Sequence, residues 1–245
     1  DEDAADFLVS LGMQHIKIPS GEITNHPFLK FLAQKDLPLI LSTGMSTLDE
    51  IKEAVSVIAG ERERNEFISP IEKMLTILHC TSNYPADCKD VNLRAMQTIA
   101  TSTGLPVGYS DHTLGLAVST AAVAMGAVVI EKHYTIDKNL PGPYHKASLT
   151  PLELKELVKQ IRDVENALGS SIKEPTQSEL PVRALVRRSL TTAKSLKAGM
   201  KVSVADLATL RPGTGISPSE LAVVLGKKVV RDLKSGTTLQ WSDLE

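Results

Sequence analysis

Five short apolar runs, each closed by polar residues, are separated by longer amphipathic stretches over the first two thirds of the chain. They are "HIKIP" (15–19), "LPLILST" (37–43), "MLTILHC" (74–80), "LPVGYS" (105–110) and "AVVIEKHY" (127–134). Between them apolar residues recur at helical spacing, as with Phe28, Leu29, Phe31 and Leu32, then Ile51, Ala54, Val55 and Ile58 after the cap signal "STLDE". Stretches 91–99 and 114–125 follow the same rule, as does 151–168, which Pro151 opens behind Thr150. Strands apolar on both faces, alternating with helices, demand a parallel sheet covered by helices. Five βα units are visible. A complete (β/α)8 barrel takes about 250 residues, so roughly three N-terminal units are expected to be missing. The opening "DEDAADFLVSLG" lacks a Met and reads as the last turns of a helix ending at Gly12, as in a fragment or processed chain.

Residues 170–181, with Pro175 and Pro181 among Ser, Thr and Gln, read as a linker. Beyond it "LKAGMKVSVADL" (196–207) recurs 37 residues on as "LKSGTTLQWSDL" (233–244). Each copy reads as a turn at Lys-x-Gly, a short strand and a capped helical turn begun by Ser203 or Ser242. The expected organisation is a barrel domain over 1–169, a linker over 170–185 and a small β-rich domain with internal pseudo-symmetry over 186–245.

A net charge of −2 over 245 residues shows no basic face and argues against a nucleic-acid partner. The longest apolar run, 116–130, is broken by Ser, Thr and Gly and is no membrane span. No signal peptide is evident, and Cys80 and Cys88 make no disulfide framework, so a reducing cytoplasm is the expected location. Cys80 itself reads as a small buried residue. Gly-x-Gly-x-x-Gly, Walker and Gly-x-Ser-x-Gly patterns are absent, which disfavours nucleotide binding and serine hydrolysis.

Polar residues gather at the carboxyl ends of the runs, the edge where sites form in barrels and open α/β sheets. Lys17, flanked by Ile16 and Ile18, either snorkels to solvent or meets an anion. The following Ser20, Gly21 and Glu22 favour a phosphate or carboxylate there. Glu131 and His133, two apart on a strand, share a face, and His112 closes the preceding strand. Two imidazoles at adjacent strand ends either bind a divalent transition metal with open positions or serve as hydrogen-bonded loop residues. Tyr84 and Asn83 suit a polyol or an ordinary turn. "PGPYHKAS" (141–148) is a lid or a rigid connection.

The segments "KIPSGEITN", "LILSTGMST", "LHCTSNYPA", "VGYSDHTLG", "IEKHYTIDKNLPGP" and "HKASLTP" together closely resemble the sialic acid synthase (N-acetylneuraminate synthase) family. The terminal "RRSLTTAKSLKAG…DLATLRPGTGISP…LGKKVVRDLKSG" resembles that family's antifreeze-protein-like, or SAF, domain. The resemblance implies a (β/α)8 TIM-type barrel, here without its N-terminal units, and a small β-rich SAF domain. It implies condensation of phosphoenolpyruvate with an N-acetylated hexose such as N-acetylmannosamine, releasing phosphate.

Carried over by position, the resemblance implies that His112 and His133 ligate a metal, usually manganese, with magnesium or cobalt as alternatives. Lys17, Ser20, Ser42 and Ser110 match phosphoenolpyruvate-binding positions, and Ser82 stands where the family often has Asn or Thr. Glu22 matches a catalytic-site glutamate, and Glu131 a glutamate near the metal, both expected to be catalytic. Lys17 would balance the departing phosphate's charge, and Glu22 or Glu131 would orient or deprotonate the water that attacks carbon 2. Tyr84 matches a sugar contact. Arg211 matches an arginine that the SAF domain inserts into the partner subunit's site, which implies a domain-swapped homodimer. Tyr144 stands where many members have a sugar-contacting Asp, so a legionaminate- or pseudaminate-type synthase is the nearest alternative. A non-catalytic carbohydrate-binding module is the alternative of another class. The family's first barrel strands, with another lysine and an essential glutamate, have no counterpart here, so the chain alone is expected to lack a complete active site.

Overall fold

The computed structural model describes residues 1–245 as two compact units, 1–169 and 170–245. In the first, helices and strands alternate: α1 (Glu2–Ser10), β1 (Ile16–Ile18), α2 (His26–Ala33), β2 (Leu39–Ser42), α3 (Leu48–Arg64), α4 (Ile71–Met74), β3 (Leu75–Cys80), α5 (Ala95–Thr103), β4 (Val107–Asp111), α6 (Ala117–Ala124), β5 (Ile130–Lys132) and α7 (Pro151–Leu168). The five strands are all parallel and lie in chain order, β1-β2-β3-β4-β5. A doubly wound sheet reverses direction at a switch point. This one does not, as a barrel requires.

The sheet is rolled. Lys17 Nζ on β1 lies 3.4 Å from Glu131 Oε2 on β5, the opposite edge. Four flat inter-strand steps would separate these backbones by about 19 Å, more than the two side chains can span. Ile16, Ile18, Leu39, Leu41, Leu75, Ile77, Val107 and Tyr109 face outward and are buried under the helices. Leu29, Leu32, Ile51, Ala54, Ile58, Met96 and Ile99 meet them from the helix side. Capping boxes at Thr47–Glu50 and Thr150–Glu153 set where α3 and α7 begin.

The second unit has α8 (Glu179–Val186), an antiparallel pair β6 (Ser189–Thr192) and β7 (Leu207–Leu210), and α9 (Leu221–Val224). Helix α8 occupies part of the stretch expected to be linker. Ser178 is its N-cap residue, the Glu179 carboxylate accepts from the Thr176 backbone N–H at 2.8 Å, and Pro181 falls in the first turn, where its missing donor costs nothing. The sequence repeat is a structural one. Leu196 and its counterpart Leu233 exchange two backbone hydrogen bonds of 2.8 Å, and Gly199 and Gly236 take φ of 82° and 81° at matching turns. Both helical turns carry capping boxes, Ser203–Asp206 and Gln240–Asp243. The cap of the second is therefore Gln240, the true counterpart of Ser203, and not Ser242, which lies inside the turn. Buried Asp206 and Asp243 are each met by a cation, Lys194 at 2.8 Å and Arg231 at 2.7 Å.

Candidate active site

A cavity of about 270 Å3 opens at the carboxyl edge of the parallel sheet. Lys17, Ser20, Ser42, Ser82, Tyr84, Ser110, His112 and Glu131 all line it, with Cys80 and Met45. Such a volume falls below the range of about 300–1,000 Å3 that holds drug-sized ligands, and suits a small metabolite. Strand alternation explains the convergence: Lys17, Ser42, Ser110 and Glu131 lie on strand residues whose side chains face into the roll, opposite to the outward apolar set.

Glu131 is the hub. It accepts from Ser110 Oγ at 2.7 Å, its register partner, and meets Lys17 Nζ at 3.4 Å. Lys17 also donates to the Ile18 carbonyl at 3.0 Å. Gly44 donates its backbone N–H to Ser20 Oγ at 2.8 Å. An added Cβ at Gly44 would overlap Ser82 Oγ and press on Ser20 Oγ at 3.0 Å, so the two hydroxyls close around this loop. Ser42 Oγ is buried with no partner. An ammonium, four hydroxyls and the Glu131 carboxylate thus face one space, in which the Ser42 hydroxyl lacks a partner while Lys17 and Ser110 are held by Glu131.

Above this floor stands a ring cluster. His112 and His133 have centroids 5.5 Å apart, and Tyr84 lies 4.0 Å from His112 and 5.4 Å from His133. Tyr144 closes it, 5.4 Å from His133 and 5.2 Å from Tyr84. His112 Nδ1 sits 2.8 Å from the Thr81 carbonyl, which can only accept. Nδ1 therefore carries the hydrogen and Nε2 keeps its lone pair. Burial works to lower the His112 pKa, but the Cys80 thiol, the Thr81 carbonyl and the Glu131 charge outweigh it and raise the value. Burial, then the charge of His112, lowers that of His133. Burial, followed by the charges of Cys80, Tyr144 and Glu131, pushes the Tyr84 phenol up.

The donor set fits a divalent first-row cation held by two neutral imidazoles, with one nitrogen already anchored as metal-ligating histidines usually are. No group of three His, Cys, Asp or Glu converges here, so the remaining positions would fall to water and substrate.

Four expected site residues lie elsewhere than on the cavity wall. His133 and Tyr144 belong to the ring cluster beside it. Glu22 is turned away: a 3-10 turn over Ser20–Glu22 directs its carboxylate to Asn25 Nδ2 at 2.7 Å. Arg211 belongs to the second unit, where its Nε donates to the Val186 carbonyl at 3.0 Å. Gly213 and Gly215 shape its loop, because a Cβ at either would overlap Arg187 or Leu239. Sequence reasoning passed over Cys80, whose Sγ lies 3.8 Å from His112 Nδ1. Its signal was its place, the last residue of β3, at an inward position and level with Ser110.

The NeuB family model matches residues 1–173, and the SAF domain model matches residues 187–245. The chain belongs to the NeuB family. Over its whole length it is 54% identical to the N,N'-diacetyllegionaminic acid synthase of Legionella pneumophila, of which it covers 67%. Over 96% of the chain it is 47% identical to the Campylobacter jejuni protein of that name, covering 68% of it. Identity to mouse N-acetylneuraminate-9-phosphate synthase is 34%, over all of the chain and 66% of that protein. The crystal structure of N-acetylneuraminic acid synthetase from Leptospira borgpetersenii superposes with a TM-score of 0.66 at 36% identity, over 74% of this chain and 60% of that one. A truncated 3-deoxy-D-arabino-heptulosonate 7-phosphate synthase from Thermotoga maritima, at 21% identity, shares the barrel fold (TM-score 0.52, 65% of this chain and 61% of that one). Membership of the NeuB family places the chain among sugar-acid synthases. No helix is long and apolar enough to cross a membrane.

Proposed function

We propose that this NeuB-family chain carries the phosphoenolpyruvate and metal subsites of a synthase that joins phosphoenolpyruvate to a six-carbon sugar aldehyde bearing two acetamido groups. The product is a nine-carbon acid of the legionaminic type, with phosphate released. The observation that carries this reading is the cavity in which Lys17, the serine hydroxyls and Glu131 meet beside His112. The acceptor is chosen on the two relatives of highest identity named above, and on Tyr144. Its ring stands against Tyr84 and His133, an apolar wall that suits an acetamido methyl better than a hydroxyl.

Lys17 and the hydroxyls of Ser20, Ser42, Ser82 and Ser110 hold the phosphate and carboxylate of phosphoenolpyruvate. His112 Nε2 and His133 would hold a divalent cation, manganese being the first choice. When bound, that cation supplies Lewis-acid polarisation of the aldehyde oxygen. Carbon 3 of phosphoenolpyruvate then forms the new bond to the aldehyde carbon, whose oxygen takes up a proton. The positive charge left at carbon 2 is captured by water. Glu131, within reach of that space and set by Ser110, takes the water's proton. Cleavage of the bond from carbon 2 to the phosphate oxygen releases phosphate with the electron pair, and Lys17 balances its charge. The captured oxygen loses its second proton and becomes the keto group. Glu22, turned to Asn25, has no part in this scheme. Arg211 reaches the site in our reading from the SAF domain of a second subunit.

The test is phosphate release from phosphoenolpyruvate by the intact protein, with manganese and a panel of acceptors. Release with the diacetamido sugar at least tenfold faster than with N-acetylmannosamine supports the reading. The reverse order makes the protein an N-acetylneuraminate synthase. No release with any acceptor, while sugar still binds, would make it a binding module.

A further inference from the structure

Directly before each candidate metal ligand stands a charged residue that the mechanism does not use. Asp111 precedes His112 at the end of β4, and Lys132 precedes His133 at the end of β5. The two are register partners across these adjacent strands. Strand alternation turns them to the sheet face opposite the cavity. There Lys132 Nζ donates to Asp111 Oδ2 at 2.8 Å, and both side chains are almost wholly buried, at 3% and 0% exposure.

Both partners are further engaged. Asp111 Oδ1 accepts from the Thr113 backbone N–H and hydroxyl, both at 2.8 Å, and Oδ2 also accepts from Ser119 Oγ of α6 at 2.5 Å. Lys132 donates a second bond to the Thr113 carbonyl at 2.7 Å. Thr113 follows His112. The network therefore holds the backbone on both sides of one histidine and ties it to the residue before the other. On the cavity face, one register step earlier, Ser110 and Glu131 make a second cross-strand link of 2.7 Å.

A buried ion pair is a weak device for stability alone, since well-packed apolar residues of similar volume often do as well or better. Its specific property is fixed geometry. Two imidazoles that share a cation need their nitrogens set to a fraction of an ångström, and neither His112 nor His133 is held to the other by any direct bond. We propose that Asp111 and Lys132, supported by Thr113 and Ser119, are positioning residues that set the separation and ring orientation of His112 and His133 for a divalent cation. This rests on the reading of those histidines as metal ligands.

The test uses the intact protein with Mn2+ alone, and the doubly neutral variant Asp111→Asn/Lys132→Met. Removing both charges together avoids leaving one buried and unpaired. Lys132→Met and Ser119→Ala accompany it. Mn2+ affinity, read by electron paramagnetic resonance, is expected to fall about 10–100-fold in the double variant, the range seen when partners behind metal ligands are removed. Phosphoenolpyruvate affinity is expected to stay within about twofold, because Lys17 and the serines are untouched. The histidine ring 15N spectrum supplies a readout that needs no metal. In the wild type His112 shows the Nδ1–H form set by the Thr81 carbonyl, and in the double variant the released backbone around His112 is expected to weaken that bond and move the spectrum towards the mixture of a free imidazole. Wild-type Mn2+ affinity and an unchanged ring spectrum in a folded double variant would overturn the proposal. So would a parallel loss of phosphoenolpyruvate affinity, the mark of general loosening. If the wild type binds no Mn2+ while the ring spectrum still responds to the double variant, the metal reading fails and the positioning role stands. Should the double variant not fold, Ser119→Ala carries the same test with a smaller expected change.

Discussion

Ser42 ends β2 with its side chain in the wall of the cavity, 3% exposed, and its hydroxyl oxygen finds no hydrogen-bond partner. A buried hydroxyl left unpaired costs about 1–3 kcal/mol. Ser42→Ala keeps Cβ and removes only that oxygen. The vacated space joins an existing cavity, so little of the usual penalty for a new void applies. The variant should therefore stabilise the ligand-free protein by about 1 kcal/mol, a rise of roughly 2–4 °C in melting temperature for a chain of this size. With phosphoenolpyruvate the sign reverses. The hydroxyl then donates to a charged oxygen, a bond worth about 1.5–3 kcal/mol, and its loss should raise Kd by roughly 10–100-fold. Thermal melts with and without phosphoenolpyruvate, and calorimetric titration, read both effects on one preparation. A lower melting temperature without ligand, together with a Kd changed by less than about threefold, would show that the hydroxyl serves the fold and not the anion.

Gly44→Ala, whose backbone dihedrals accept any residue, should displace Ser82 and Ser20 and raise KM for phosphoenolpyruvate about tenfold with a smaller change in kcat; steady-state kinetics with an unchanged KM would count against the hydroxyl cradle. Glu153 is held at about 2 by Lys138 and by the Thr150 backbone N–H, below its ordinary 4.5, so its contribution is present above that ordinary value and is lost as pH falls from about 4.5 towards 2. With the side chain 39% exposed, solvent screening reduces that contribution to about 1 kcal/mol, and denaturant titrations should show Glu153→Gln flattening the loss between pH 5 and pH 3; equal slopes refute it. For Arg211, mixing His112→Ala with Arg211→Ala subunits should restore about a quarter of wild-type activity if the arginine acts across a two-fold dimer, whereas activity no higher than that of the separate variants would confine it to its own subunit.

The strands were legible because short apolar runs with few polar interruptions cannot be surface segments: β2, β3 and β4 all fall within one residue of the runs that announced them or inside them. Helix α7 begins at Pro151 and ends at Leu168 as its caps imply, while α3 runs on to Arg64 past Gly60, where charged residues end the apolar stripe but not the helix. Of the inward-facing site residues, Glu131 was read from strand parity, while Lys17, Ser42 and Ser110 were legible from their place at the carboxyl ends of the runs and from the family resemblance. Glu22 was not, because the 3-10 turn that redirects it depends on backbone bonds to Pro19 and Ser20 and leaves no residue-type signature. Asp111 and Lys132 drew no reading from the sequence, because attention fell on the histidines that follow them. A charge at an outward position of an inner strand cannot reach solvent, and that alone demands a partner across the sheet.

The second unit is built from two copies of one half, and this makes it a comparison carried within a single chain. Ser203 and Gln240 differ in chemistry yet perform the same cap, so the fold tolerates that exchange. Val204 and Trp241 are the next matched pair, and both stand outside the core, at 63% and 49% exposure. The backbone around them is the same, and neither belongs to the buried cluster of the domain. An indole and an isopropyl group at these twin places therefore give the two halves unlike outer surfaces. One architecture thus carries two chemically distinct faces, so the duplication that repeats the fold does not repeat what it presents to solvent.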